Sequence, residues 1–516
     1  MSPSPSRLPP WAAVALLLIF ALGVGFRLYD LGGRDLWTDE AWVALAALQD
    51  TPAAALAAGQ STPPLYLLSV WAAVKVLGGS ELVLRSVSFL FGLGTLVLFW
   101  LLARSLVQVP ASLLALAAVA FSPVLVYYAK ELKQYSGDAF FAVLIFYLAE
   151  RLRTRRGQDG WAALGMAGVL GLGFSHPLVF VLPVAWAVLW FGLPRRQPRV
   201  ALLGCIWALA FGVCYLLFFR REMDPNLVAY WTEVAAFPDL SGIKPLVIWL
   251  GQALYEYFWY FLGEWGLYWG PPLLAAGAWA LISRGRGRLL VYLLGPILLA
   301  FAAAALHRYP FMTRSGGNRL MLFSAPFLYL VAAAGASTAF AWLWRKRQRW
   351  LALALSAVLL AALHPVANFR ENLSPLNNRE EIRPLVERLS GQLRSGDLVY
   401  VYYFAIQPFK YYYHGPAARL CLGKSCVETN LKAAAGQDGA PRRIWLIASH
   451  IEGLEDMRRF AAGLLGPEWQ ETACFSRVGA ALFRFEPQGQ DVAAKPSIPP
   501  GPAQSDSPTP PPGKAY

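Results

Sequence analysis

Charge is scarce in this chain. Asp, Glu, Lys and Arg make up 15% of its 516 residues, where a soluble domain carries roughly 25%. Apolar residues reach 57%, so most of the chain belongs in lipid, and a purely soluble globular fold is excluded. Acids are scarcer than bases: 31 Asp and Glu against 45 Lys and Arg leave a formal charge of +14. A nucleic-acid partner would need a folded basic face. Here the arginines instead sit in short links between apolar runs, where they act as topology signals. The five cysteines have no His at ligand spacing, which leaves no zinc pattern. There is no GKS/T phosphate loop, no G-x-G-x-x-G between a strand and a helix, and no H-E-x-x-H. Nucleotide chemistry on the cytoplasmic face therefore has no support.

What is present is a succession of apolar runs. The first, Trp11 to Phe26, reads as an uncleaved span. Others lie near 83–103, 110–128, 138–150, 161–175, 178–194, 200–219, 270–283, 288–306, 320–344 and 350–366. Links bearing Arg151 to Arg156, Arg195 to Arg199, Arg284 to Arg288 and Arg345 to Arg349 are nearly free of acids and read as cytoplasmic. The alternate links, 27–81, 129–137, 176–177, 220–269, 307–319 and everything after about 367, then fall outside. The parity closes with about eleven transmembrane helices and a cytoplasmic N-terminus. Counting Leu65–Leu77 as a span would break that parity, so this segment and 40–57 read as interfacial or re-entrant helices roofing a cavity. Aromatic clusters such as Trp259-Tyr260-Phe261 mark the interfaces.

The expected fold is thus an α-helical polytopic membrane bundle, residues 1–366, with a small C-terminal extracytoplasmic α/β domain, 367–486. In the latter, Glu380 to Leu393 has helical spacing, and DLVYVYYF and RIWLIAS read as buried strands. The stretch 487–516, rich in Pro, Ser and Gly, is expected to be disordered. If the domain is extracytoplasmic, a disulfide can form among Cys421, Cys426 and Cys474, of which the first two are nearest in sequence.

Three polar clusters fall in the outer links. Asp39 and Glu40, in RDLWTDEAW, follow the first span at a helix start. Carboxylates there can simply cap a helix. Near the bilayer surface they can also take a proton from an acceptor hydroxyl or hold a divalent metal ion, and the sequence leaves the metal open. The second cluster is Tyr127, Tyr128, Lys130, Glu131, Lys133, Gln134, Tyr135 and Asp138. Interfacial snorkelling is its bland explanation. In the functional one, Lys133 meets a phosphate and Glu131 or Asp138 orients it or a sugar. The third is His307, Arg308, Tyr309, Arg314, Asn318 and Arg319, where arginines on an outer link run against the positive-inside trend and call for an anion, whether a lipid headgroup or a lipid-linked phosphate. His176-Pro177, at another outer turn, reads as structural.

RDLWTDEAW, then STPPLYLLSVWAAVKVLGGSELVLRSVSFLFG, then YYAKELKQYSGDAFFAVL, stand in an order that resembles the GT-C membrane glycosyltransferases. The likeness is to the branch holding the protein O-mannosyltransferases and the lipid A aminoarabinose transferase, and it covers about the first 180 residues. It implies that Asp39 is the catalytic carboxylate, Glu40 its partner, and the donor a sugar on a polyprenyl phosphate. The ELKQY string singles out Lys133, and similar loops place an Arg ahead of a Pro-containing span, matching Arg319 and Pro326. Many members carry a His or Lys before the Pro-Pro-Leu; this chain carries Thr62.

The expected activity is transfer of a sugar from that donor to an acceptor hydroxyl on a lipid, glycan or protein, at the outer face of the inner (plasma) membrane. Membrane lipids are the surroundings, and nucleic acid is not a partner. Two rivals are a lipid-linked glycan transporter, which would want matching Gly/Pro-broken halves not evident here, and a non-catalytic assembly subunit.

Overall fold

The computed structural model of the chain describes residues 8–154, 160–222, 225–264, 266–311, 317–362, 365–373, 380–416, 419–422, 441–451 and 453–488. They form two compact units: 8–32 with 46–373, and 33–45 with 380–488.

The first unit is helical. It comprises α1 (Pro10–Leu28), most of α2 lying outside it (Thr38–Ala47), α3 (Pro52–Ala58), α4 (Pro64–Leu77), α5 (Glu81–Leu106), α6 (Val109–Phe121), α7 (Pro123–Ala129), α8 (Tyr135–Thr154), α9 (Trp161–Leu172) and α10 (Leu178–Gly192). It continues with α11 (Gln197–Leu217), α12 (Pro225–Glu233), α13 (Ile243–Leu262), α14 (Gly266–Ser283), α15 (Arg288–Ala305), α16 (Ala325–Arg345), α17 (Arg349–Ala362) and α18 (Pro365–Leu373). Among the described residues, five helices are long and apolar enough to cross a membrane, and six if a bent pair counts as one. This is a multi-pass membrane protein; the count of eleven rests on the link charges and goes beyond what helix length and composition establish.

Two features depart from the runs read in the sequence. The run 110–128 is not one helix: α6 and α7 meet at Ser122-Pro123 with a bend of 55°. Pro123 has no N–H for the Val119 carbonyl four residues back, and the bend carries later donors out of reach. The freed carbonyls are met from elsewhere. Arg27 of α1, itself buried, donates to Val119 (3.1 Å) and Ala120 (2.9 Å), and Asn372 of α18 donates to Phe121 (3.0 Å). In lipid, where water cannot help, each such group needs an internal partner. Secondly, 243–262, expected as part of an outer link, is a 20-residue helix, α13. Lys244, Gln252 and Glu256 break its apolar run, so hydropathy alone hides it.

Two glycines let α14 and α16 touch backbone to backbone: a Cβ at Gly277 would run into the Val331 carbonyl, and one at Gly335 into that of Leu273. Such small-residue contacts replace hydrophobic driving force between helices in a bilayer. At the arginine-rich end of the bundle, the buried Glu150 of α8 accepts from Arg288 Nε (2.7 Å) and the Tyr292 hydroxyl (2.7 Å) of α15, and pairs with Arg153 at 3.4 Å.

The second unit is a three-layer α/β fold. Its sheet has the order β2-β1-β3-β5-β4, from β1 (Leu398–Val401), β2 (Arg419–Leu422), β3 (Ile444–Ser449), β4 (Trp469–Arg477) and β5 (Ala480–Pro487). β2, β1 and β3 are parallel, and β5 and β4 complete the sheet antiparallel. Val399, Val401, Trp445 and Ile447 face α19 (Arg383–Gln392) and α20 (Ile406–Tyr412); Leu398, Tyr400, Ile444 and Leu446 face α21 (Leu454–Leu465). With both faces covered, β1 and β3 are buried at every position, as their unbroken apolar runs require. Cys421 is disulfide-bonded, Cys205, Cys214 and Cys474 are free thiols, and Cys426 lies outside the described residues.

Candidate active site

The link between α7 and α8 is short and buried. Lys130, Glu131, Lys133, Gln134, Tyr135, Ser136 and Asp138 are all buried, so this is not a snorkelling surface loop. It is fastened to α5 through one serine: Ser88 donates to the Lys133 carbonyl (2.9 Å), and Ser136 donates to the Ser88 carbonyl (2.8 Å). The Tyr66 hydroxyl of α4 lies 2.7 Å from the Ser88 hydroxyl, and Gln134 donates to the Ser61 carbonyl at 3.4 Å. Lys130 turns to the end of α1, donating to the Tyr29 carbonyl (3.3 Å), where a cation suits the helix C-terminus.

Lys133 lies on the side of His176. Burial, and after it the Lys133 ammonium, push the His176 imidazole down to about 4, which leaves it neutral at physiological pH. The turn that carries His176 is locked to the start of α4, since the Leu65 N–H donates to the Gly173 carbonyl (2.8 Å), and a side chain at Gly173 would strike Leu65. Thr62, just ahead of the Pro63-Pro64 start of α4, is buried with its hydroxyl donating to Gln60 (2.9 Å).

From the other side comes the segment before α16, a 3-10 stretch, Gly317–Ser324. Its Arg319 guanidinium lies over the Tyr135 ring, 5.5 Å from the centroid. Tyr309 donates to the Leu320 carbonyl (2.9 Å), and its hydroxyl is held well above the usual phenol range by burial and by the Asp138 carboxyl and Tyr135 beside it. Asn318 is buried in the same stretch. α13 closes the cluster: its Tyr260 hydroxyl donates to that of Tyr128 (2.8 Å), whose ring meets Tyr135 edge to face at 5.1 Å. Lys133, Tyr135, Asp138, His176, Tyr309 and Arg319 therefore gather at one end of the bundle, away from the Glu150 cluster at the opposite end of α8.

Not all of the third cluster joins them. His307 and Arg308 are exposed and end α15: His307 takes the left-handed backbone conformation (φ 53°), and the Arg308 N–H closes back on Ala303 (2.8 Å). The His307 ring packs on Phe237 at 4.5 Å. Arg314 lies outside the described residues. The sequence reading passed over Arg85, fully buried on α5 with Nη1 donating to the Leu31 carbonyl (3.3 Å); an arginine inside an apolar helix was the available signal.

The RDLWTDEAW segment folds with the second unit. Asp35 pairs with Arg383 (3.2 Å) and accepts from its backbone N–H (2.9 Å), while the Leu36 N–H donates to the Tyr412 hydroxyl (2.8 Å). Thr38 donates to the Phe404 carbonyl and, at 3.5 Å, to the buried Glu380 carboxylate. Asp39 and Glu40 occupy the first turn of α2, where the helix dipole favours negative charge. They differ in access: Glu40 is buried, and Asp39 is half-exposed. Among the described residues no three His, Cys, Asp or Glu side chains come together as a metal-binding group.

Residues 61–231 match the family model described as dolichyl-phosphate-mannose-protein mannosyltransferase. No curated protein sequence matches the chain. Among solved structures, the apo form of ArnT from Cupriavidus metallidurans aligns with a TM-score of 0.54 at 13% identity, covering 92% of this chain and 97% of its own. The same protein bound to undecaprenyl phosphate aligns at 0.50 and 13% identity, with 92% and 98% covered. The oligosaccharyltransferase AglB from Archaeoglobus fulgidus, in complex with an inhibitory peptide and a dolichol-phosphate, gives 0.52 at 12% identity, with 92% and 74% covered. The chain shares its fold with ArnT and AglB, and its residues 61–231 match the mannosyltransferase family's model.

Proposed function

We propose that this chain is a membrane glycosyltransferase that moves a sugar from a polyprenyl phosphate to an acceptor hydroxyl on the extracytoplasmic face of the inner membrane. The observation that carries the reading is the gathering of a buried Lys133 and a half-buried Arg319, with Tyr135 and Asp138, at one end of the helical bundle. A lysine ammonium and an arginine guanidinium brought together suit a phosphate, and a lipid phosphate reaches such a site from the bilayer. ArnT binds undecaprenyl phosphate and AglB a dolichol-phosphate, which supports a donor of that class here.

In the proposed reaction Asp39 accepts the proton of the acceptor hydroxyl as its oxygen attacks the anomeric carbon. The bond from that carbon to the phosphate oxygen breaks, and the phosphate leaves with the electron pair. Attack from the opposite face inverts the anomeric centre. Lys133 and Arg319 stabilise the charge that develops on the phosphate, an effect worth most in a water-poor site. A neutral His176 fits beside Lys133, because it adds no further positive charge next to the ammonium. Asp138 and Glu131 would orient the sugar or the lysine. Under the positive-inside reading of the links, the Asp39 segment, the Lys133 loop and the Arg319 segment are all extracytoplasmic links.

The test is product formation by the purified full-length protein in detergent, supplied with undecaprenyl-phosphate-linked mannose or aminoarabinose and an envelope extract as acceptor. Release of free undecaprenyl phosphate coupled to a glycosylated product is the expected result. Movement of intact lipid-linked sugar across a vesicle bilayer, with no phosphate released, would replace the enzyme by a transporter.

A further inference from the structure

The parallel part of the second unit's sheet has a place where its connections part. After β1 the chain turns into α20 on one face, and after β3 it turns into α21 on the other. In open α/β sheets a ligand binds outside the carboxyl ends of the strands at such a point. Here the chain's own Trp37 and Thr38 sit there. Thr38 donates to the carbonyl of Phe404, in the turn after β1, and the Ser449 hydroxyl at the end of β3 donates to the same carbonyl (3.3 Å). The Trp37 ring is stacked over His450, the residue following β3, at 6.5 Å between centroids.

Two further facts single out a pair at this place. His450 holds a left-handed backbone conformation (φ 59°), which costs free energy in a residue other than glycine and persists only where surroundings enforce it. Its Nδ1 donates to Glu380 Oε1 (2.9 Å), and Glu380, fully buried, receives the Thr38 hydroxyl on its other oxygen. Glu380 thus joins the end of β3 to the first residue of α2, immediately before Asp39. The His450 ring also meets that of Phe404, 5.0 Å between centroids, so the turn after β1, the end of β3 and the start of α2 converge on it.

We infer that Glu380 and His450 are positioning residues for Asp39: the crevice that such sheets offer to ligands binds the Trp37-Thr38 segment instead and fixes the first turn of α2. This rests on the reading of Asp39 as the proton acceptor. It gives the second unit a part in the reaction, since β1 and β3 become the frame on which the carboxylate is mounted. Loss of the pair leaves the donor phosphate's cations untouched, so the effect falls on turnover and not on donor affinity.

The experiment compares His450→Ala, His450→Asn, Glu380→Ala and Asp39→Asn in the full-length protein in detergent, using whichever undecaprenyl-phosphate sugar the wild type turns over. His450→Asn keeps an N–H donor where imidazole Nδ1 stood. The alanine variants are expected to lose up to about 10²-fold in kcat, the scale of a misplaced catalytic group. Their KM for the donor should stay within about threefold, and His450→Asn should recover most of the lost kcat. Wild-type kcat in both alanine variants, or no recovery in His450→Asn, overturns the inference. If the alanine variants do not fold, His450→Asn and amide exchange decide: near-wild-type turnover with protected amides over 38–42 supports it, while turnover lost with those amides still protected contradicts it. A fully active Asp39→Asn would instead sink the reading on which it rests, whatever the other variants do.

Discussion

Arg319 lies over the face of Tyr135, its guanidinium carbon 5.5 Å from the ring centroid, and so ties the segment before α16 to the first turn of α8. The contact holds the arginine in a defined direction at little cost, because its planar group stacks as well as donates. Replacing Arg319 by Ala, or Lys133 by Met, is expected to weaken undecaprenyl phosphate binding by roughly 10-fold each, the loss of one charge-assisted hydrogen bond. Arg319→Lys should recover little, since lysine does not stack in the same way. Binding measured by thermophoresis in detergent checks this; unchanged affinity in both variants would remove the pair from the donor site.

His176 gives a pH signature. Folding lowers its pKa from the ordinary 6.5 to about 4, so between these values the unfolded chain binds the proton more tightly than the folded one. Stability is therefore expected to fall as pH drops from 6.5 to 4. In His176→Gln, which cannot titrate, that part of the loss should vanish. Thermal unfolding followed across the range tests it. Lys133→Met should also raise the His176 value, because one of its two depressing causes is gone; ¹³C-histidine NMR reads that directly.

The bend at Ser122-Pro123 predicts a coupling. Arg27→Leu strands the Val119 and Ala120 carbonyls, at about 1–3 kcal/mol for each buried group left without a donor. Pro123→Ala restores the one backbone N–H that could reach Val119. The double variant should then be more stable than Arg27→Leu alone, with the thermal midpoint as readout. Additive losses would show that the two residues do not share those carbonyls.

Much of this arrangement is legible in the sequence, for a definite reason. Lys133, Tyr135 and Asp138 lie within six residues in an apolar chain, and arginines such as Arg319 stand out in links where the charge rule does not expect them. The strands of the second unit show as unbroken apolar runs because both faces are covered. What is not legible depends on partners distant in sequence. Nothing near Asp35 announces Arg383, and nothing near Thr38 announces Phe404 or Glu380, so the assignment of 33–45 to the second unit comes only from the fold. Helix α13 was hidden by Lys244 and Glu256, and the break at Pro123 by the continuous hydropathy around it. His307 shows the opposite error: a histidine among arginines reads as part of a cluster, while its backbone makes it the end of α15.

Access separates the two acids of the motif. Glu40 is buried on α2 and Asp39 half-exposed, so Glu40→Gln is expected to retain much more turnover than Asp39→Asn, with its main effect on thermal stability. Equal loss of kcat in both, at equal stability, would give Glu40 a direct share in the chemistry.

The central claim is that Asp39 takes the acceptor's proton. General-base assistance is typically worth 10²–10⁴ in rate. The most direct measurement is the turnover of Asp39→Asn beside its binding of undecaprenyl phosphate, in the same detergent preparation. The account predicts a kcat lower by about 10²-fold or more with lipid-phosphate affinity unchanged. Wild-type turnover by Asp39→Asn would contradict it.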